Sequence, residues 1–267
     1  MPNITKNRKM QKGFTLVELA IVLVIIGLIV SSVLVGQDLI KAAQLRATVR
    51  QLNEYQVAVN TFIGKYNGIP GDINGGTFGL TGTAGYQDGT DGDGDGNGIV
   101  TSGASASLVT TNTGEMSTFW SHLTSPGKEL ISGSYPGNGC GASTCLVGRD
   151  MPAMKFGANG WGVFGASGIN YFVAGMAATG GASAVTTTTA TFIPTDAYNI
   201  DNKIDDGVPT AGEVVSRGAH ATVIDTAATT AAGADATVCN RTGTTPHQYQ
   251  YTANTAICVL RFTMQTF

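Results

Sequence analysis

Two hydrophobic patterns divide the chain near residue 66. Residues 19–37 carry no charge, which as helix is about 28 Å, close to the thickness of one hydrocarbon layer. Beyond Gln37 the apolar positions become periodic. Ala42, Leu45, Val49, Leu52, Tyr55, Val59, Phe62 and Tyr66 follow one another at spacings of three and four, the stripe of an amphipathic helix. Lys41, Arg46, Arg50, Glu54 and Lys65 lie largely off that stripe, and no proline interrupts the stretch between Pro2 and Pro70. Asn67-Gly68 and then Pro70 supply a stop signal. The pattern predicts one helix over 14–66, about 80 Å if continuous. Its first half suits lipid or a bundle of like helices, and its second half suits packing on the protein's own head.

The pattern after residue 66 is sparse. Strand-like runs occur at 161–164, 170–174, 221–225 and 256–262, and 186–191 and 226–236 are low-complexity segments expected as loops or edges. Between Pro194 and Pro209, Ala197, Ile200 and Ile204 stand at helical spacing, with Thr195 as the expected N-cap and Gly207 closing the turn. Composition sharpens the division. Residues 1–66 hold 26 of the 62 Leu, Ile, Val and Phe residues, leaving 36 in the 201 that follow, about 18%, near the level where a packed core becomes hard to build. Glycine runs the other way, with 4 before Asn67 and 33 after it. One domain or at most two are expected, made of two kinds of material.

Charge divides at the same place. Residues 1–66 carry 8 Lys/Arg against 3 Asp/Glu, and residues 67–267 carry 7 against 15, giving +5 and −8. A nucleic-acid-binding head is disfavoured by that balance. Lys6, Arg8, Lys9 and Lys12 precede the apolar run with no acid among them, so the N-terminus should stay cytoplasmic and the rest face outward. This disfavours a purely cytosolic enzyme. An ordinary secretory signal peptide is the rival reading, but the apolar run is longer than the usual core of such a signal and ends in VLVGQ, with no Ala-x-Ala site. Glu18, inside otherwise apolar sequence, costs on the order of 2.5–3.5 kcal/mol at a bilayer centre. It needs a compensating partner.

The residues KGFTLVELAIVLVIIGLI resemble the N-terminus of type IV pilins and of type II secretion pseudopilins. The likeness covers about residues 6–66 well, and the head in outline. It implies a leader over 1–13, cleavage by a prepilin peptidase after Gly13, methylation of the new amino terminus at Phe14, and pairing of Glu18 with a neighbouring subunit's terminal amine. A water-free filament core would penalise an unpaired carboxylate, and an adjacent ammonium would offset that cost and fix register. It also implies an α+β fold: a long helix over 14–66, of which 14–37 spans the membrane or lies in the filament core, and a head over 67–267 built on an antiparallel sheet. YNGIPGDI and IDNKIDDGVPTAGEV are similar to stretches of one pilin-like subgroup. One departure from the family is Val35, near where many members carry a proline. Gly27 with Ser31 and Ser32 with Gly36 form small-xxx-small pairs that favour close helix approach.

The four cysteines, Cys140, Cys145, Cys239 and Cys258, allow three pairings. Cys140 with Cys145 and Cys239 with Cys258 are expected, the second closing a loop near the C-terminus as in many pilins. A four-cysteine zinc site competes, without the usual short CxxC pairs. The run DGTDGDGDGNGIV places Asp88, Asp91, Asp93, Asp95 and Asn97 at alternating positions. From Asp93 it follows positions 1, 3, 5, 6 and 8 of an EF-hand-type loop, but position 12 is Ala104, so an acid must come from elsewhere or from Asp88 or Asp91. Calcium is the expected ligand, because clustered carboxylates repel unless a cation screens them; a soluble loop that binds nothing is the alternative. Asp201, Asp205 and Asp206 are read as a helix end and turn. His122, His220 and His247 are scattered, with no HExxH, GxSxG or phosphate loop.

These features predict a non-enzymatic filament subunit. It is single-pass in the inner membrane with its head periplasmic, and then enters a surface pilus or a periplasmic pseudopilus. Its partners are other copies or other pilin subunits, the prepilin peptidase and the inner-membrane assembly machinery. The rivals are a secretion pseudopilin or minor pilin and, from another class, a secreted calcium-dependent adhesin or enzyme.

Overall fold

A computed structural model describes residues 14–73, 94–100, 114–125, 129–137, 146–166, 168–176, 191–218, 239–241 and 248–265. In order the elements are α1 (Leu16–Tyr66), α2 (Glu115–Thr124), β1 (Gly160–Ala166), β2 (Ile169–Met176), α3 (Pro194–Ile204), β3 (Val214–Gly218), β4 (Asn240–Arg241), β5 (Gln248–Tyr249) and β6 (Cys258–Thr263). The fold class is α+β. The chain divides into two units, residues 1–43 and 44–267.

In the first unit, α1 is one helix whose large side chains from Leu16 to Ile40 all stand exposed. No polar residue interrupts that surface for several turns, so helix formation satisfies the backbone while the side chains stay uncovered among the described residues. Ser32 turns its hydroxyl onto the Leu28 carbonyl at 2.9 Å, so its polarity is spent within the helix.

In the second unit, α1 buries Thr48, Gln51, Leu52, Tyr55, Ala58, Val59, Phe62 and Tyr66. The apolar stripe read from the sequence lies on this face. The helix ends where Asn67 adopts the left-handed conformation at φ 54° and donates to the Ile63 carbonyl at 2.8 Å, a cap that Asn tolerates better than most residues.

Four antiparallel strands form the head's main sheet in the order β1-β2-β6-β3. Register aligns Val163, Phe172, Phe262 and Val214 across all four strands, with Trp161, Ala174, Leu260 and Ser216 on the same face. That face meets α1 and α2: Tyr55 packs edge-on to Trp161 at 5.8 Å and to Trp120 at 5.0 Å, and Phe119 meets Phe172 at 6.0 Å. Aromatic rings thus fill a core in which aliphatic residues are scarce, each bringing a large buried area. Arg261 on the opposite face lies over the Tyr171 ring at 4.7 Å. A second, two-stranded sheet joins β4 and β5.

β1, β2 and β6 occupy three of the four strand-like runs; the run at 221–225 lies outside the described residues. α3 corrects its expected start. The N-cap is Ile193 and Pro194 is the first helical residue, in place of a cap at Thr195, because the fixed φ of proline and its missing N–H suit the first helical position. α2 and β3 were not anticipated.

Candidate functional site

At the N-terminal end, Gly13 lies outside the described residues and Phe14 is exposed just before α1. Thr15 and Glu18 close the helix start reciprocally. Both the Thr15 backbone N–H (2.8 Å) and its hydroxyl (3.0 Å) donate to Glu18 Oε2, and the Glu18 N–H donates to Thr15 Oγ1 at 3.2 Å. This is a capping box. Glu18 therefore has a partner within its own chain at Thr15, beside the neighbouring subunit's amine that the resemblance implies; the T-x-x-E spacing carries that signal. Oε1 accepts no hydrogen bond among the described residues. By length and composition α1 is the one described helix able to cross a membrane.

In the head, carboxyl oxygens of Asp72, Asp95 and Glu115 lie within 4.8 Å of one another. Asp72 and Glu115 are buried, at 2% and 1% exposure, and Asp95 is exposed. Asp72 follows the turn after α1, and Glu115 opens α2. The 94–100 loop wraps the Asp72 carboxylate, which accepts the Gly96 N–H at 3.0 Å and the Gly98 N–H at 2.7 Å, while Asp95 donates its N–H to Glu115 Oε1 at 3.0 Å. Close approach explains the glycines. A Cβ on Gly94 would meet the Asp72 backbone at 2.1 Å, and one on Gly71 the Glu115 carbonyl at 2.3 Å. Asp95 and Asn97 order the loop by accepting the backbone N–H two residues on, at 2.9 and 2.7 Å.

Burial raises the Asp72 carboxyl above the ordinary carboxylate range, opposed by hydrogen bonds from Gly98, Glu115 and Gly96 and reinforced by the charge of Asp95. Of the described residues expected to hold calcium, Asp95 is in this cluster. Asn97 is beside it in the same loop, and Asp88, Asp91 and Asp93 lie outside the described residues. Asp72 and Glu115, which the sequence reading did not name, are acids from elsewhere in the chain that lie beside Asp95.

The second acidic group behaves as a helix end and turn. Asp201 accepts the Gly207 N–H at 3.1 Å and the Tyr249 hydroxyl at 2.6 Å, Asp206 accepts the Val208 N–H at 2.7 Å, and Asp205 accepts the N–H groups of Glu213 and Val214. Asp201 is fully buried, and burial pushes its carboxyl up to about 6. Cys239 and Cys258 form a disulfide, while Cys140 and Cys145 lie outside the described residues. His122 is buried, accepts the Gly71 N–H on Nδ1 at 2.9 Å and stacks on Phe62. His220 and His247 lie outside the described residues.

Residues 8–34 match the family model of the prokaryotic N-terminal methylation motif, the prepilin-type signal of type IV pilins and pseudopilins. That match spans Arg8, Lys9 and Lys12 of the basic flank, the expected cleavage position, the capping box and most of the exposed apolar helix. No curated protein and no solved structure matches the chain.

Proposed function

We propose that this chain is a non-enzymatic structural subunit of a type IV pilus-like filament, processed after Gly13, methylated at Phe14 and polymerised through the apolar half of α1. The observation that carries this reading is the prepilin-type signal on a helix whose apolar surface is bare over residues 16–40. Water exposure of that surface is unfavourable by about 25 cal/mol per Å², and a bilayer, then a bundle of like helices, removes it. Before assembly the chain is held in the inner membrane with its head outside the cytoplasm. Glu18 offers Oε1 to a neighbouring subunit's terminal amine while Oε2 keeps the local cap.

The test is mass spectrometry of the N-terminal residue in membrane and sheared-surface fractions. Methylated Phe14 enriched in the sheared fraction supports a surface pilus, and the same terminus confined to membranes supports a secretion pseudopilus or a minor subunit. A terminus beyond Val30 overturns the reading in favour of an exported globular protein. Glu18→Ala should leave cleavage intact and lower filament yield; full yield would remove the amine-pairing role.

The head's cluster is read as a calcium site. Three carboxylates are hard oxygen donors suited to calcium rather than to a thiolate- or imidazole-seeking metal. Asp72, Asp95 and Glu115 would hold the ion, which would neutralise two buried carboxyls and tie α2 to the turn after α1.

A further inference from the structure

The amphipathic half of α1 presents a second face, opposite the one that packs on the sheet. Arg46, Arg50, Asn53, Val57, Thr61 and Gly64 recur along it at helical spacing and all are exposed. Val57, at 65%, is the most exposed large apolar side chain among the described residues of 44–267. Arg46 and Arg50 stand one turn apart, and among the described residues neither has an ion pair. A strip with two unpaired guanidinium groups at one end and an uncovered valine beside small residues at the other has both parts of a docking surface, charge and apolar contact.

The complementary surface is on the same molecule. Residues 67–267 carry 7 basic against 15 acidic residues, and the connection from α3 to β3 gathers Asp205, Asp206 and Glu213, of which Asp206 and Glu213 are exposed. None of the three has an ion pair among the described residues, and Asp201, Asp205 and Asp206 have oxygens within 4.8 Å of one another. The Asp72 cluster is a poorer receptor for arginine, since two of its three carboxyls are buried.

We propose that this face of α1 docks a second copy of the chain, with Arg46 and Arg50 receiving the Asp206 and Glu213 carboxylates of the neighbouring head. The inference rests on the filament reading. The two surfaces differ, so the contact is heterologous, and a heterologous contact repeats from copy to copy into an open helical assembly where a self-complementary one would close a dimer. Guanidinium forks suit carboxylates bidentately, which fixes register as well as attraction.

The test uses the full-length chain in its own cells, with sheared filament yield as readout and the melting temperature of the detergent-extracted chain as folding control. Arg46→Glu with Arg50→Glu, and separately Asp206→Lys with Glu213→Lys, should each lower yield at least about tenfold through like-charge opposition. The chain carrying all four substitutions should recover most of it. Undiminished yield in either double variant overturns the proposal. So does loss without recovery in the fourfold variant at unchanged melting temperature, which would direct the arginines to a different acidic partner or to anionic lipid. Failure of the filament reading shows separately, as unmodified wild-type chain lacking a methylated Phe14 terminus.

Discussion

Gln51 accepts the Trp161 indole N–H on its carboxamide oxygen at 2.9 Å, joining α1 to β1 across 110 positions of sequence. The same side chain donates from Nε2 to the Ala153 carbonyl at 2.8 Å and to the Tyr55 hydroxyl at 2.7 Å. Trp161 is fully buried, so its N–H has no recourse to water. One polar residue on the buried face of the helix thereby orients two rings of the interface, Trp161 and Tyr55. Burial drives the Tyr55 hydroxyl well above its usual range, in keeping with its role as a neutral partner for Gln51.

Replacing Gln51 by Leu keeps the volume and leaves the indole N–H and the Ala153 carbonyl unpaired. Each buried orphan costs about 1–3 kcal/mol, so the variant should lose roughly 2–6 kcal/mol. Urea unfolding of the detergent-solubilised chain, followed by tryptophan fluorescence, measures this; a loss under about 0.5 kcal/mol, the range of an ordinary surface change, would mean that the network does not fix the interface.

The Cys239–Cys258 bridge closes a separation of 19 residues and fastens β6, a central strand, to the segment that enters β4. Both cysteines are fully buried. Loop entropy alone gives about 3 kcal/mol. Cys239→Ser with Cys258→Ser should lower the melting temperature by several degrees, and an unchanged value would show that the sheet is held without the bridge.

The sequence disclosed those parts of the molecule whose periodicity is long or whose turn chemistry is local. Fifty-one residues of α1 show a sustained pattern, and Asn67-Gly68 stops it by backbone conformation alone. β1, β2 and β6 are short, yet their aromatic and β-branched content marks them. α2 was hidden although Met116, Phe119, Trp120 and Leu123 stand at helical spacing, because it is buried on every side and its Ser and Thr positions blur the stripe. The acidic site shows the same limit. Asp95 and Asn97 announce themselves through DGDGNG, whereas Asp72 and Glu115 are single acids brought in by the path of the chain. Only the fold puts their oxygens together.

Asp201 makes head stability depend on pH. Its folded value is about 6 against 3.8 ordinarily, chiefly through burial, opposed by hydrogen bonds from Tyr249 and Gly207 and reinforced by the charges of Asp206 and Asp205. A raised carboxyl favours the protonated form in the folded state. Its stabilising contribution is fully present below about 3.8 and is lost as pH rises through about 6. Asp201→Asn should remove that dependence while keeping an acceptor for Tyr249 and Gly207. Melting temperature measured across this window should fall with pH less steeply in the variant than in the wild type; parallel curves would mean that Asp201 does not titrate there.

Calcium and protons should compete at the other acidic group. Burial raises the Asp72 carboxyl, against the hydrogen bond from Glu115, so folding favours a proton on Asp72. A bound cation requires both ionised, so calcium binding must expel that proton and its stabilisation must grow with pH. The rise in melting temperature that calcium gives over chelator, measured on the full chain in detergent, should therefore shrink as the pH is lowered. Asp72→Asn with Glu115→Gln is close to isosteric and removes both charges without removing volume, so the folded head should persist and the calcium response vanish at every pH. A response that is independent of pH, or that survives in this double variant, would place the ion elsewhere in the head and leave Asp72 and Glu115 as a buried pair that serves packing alone.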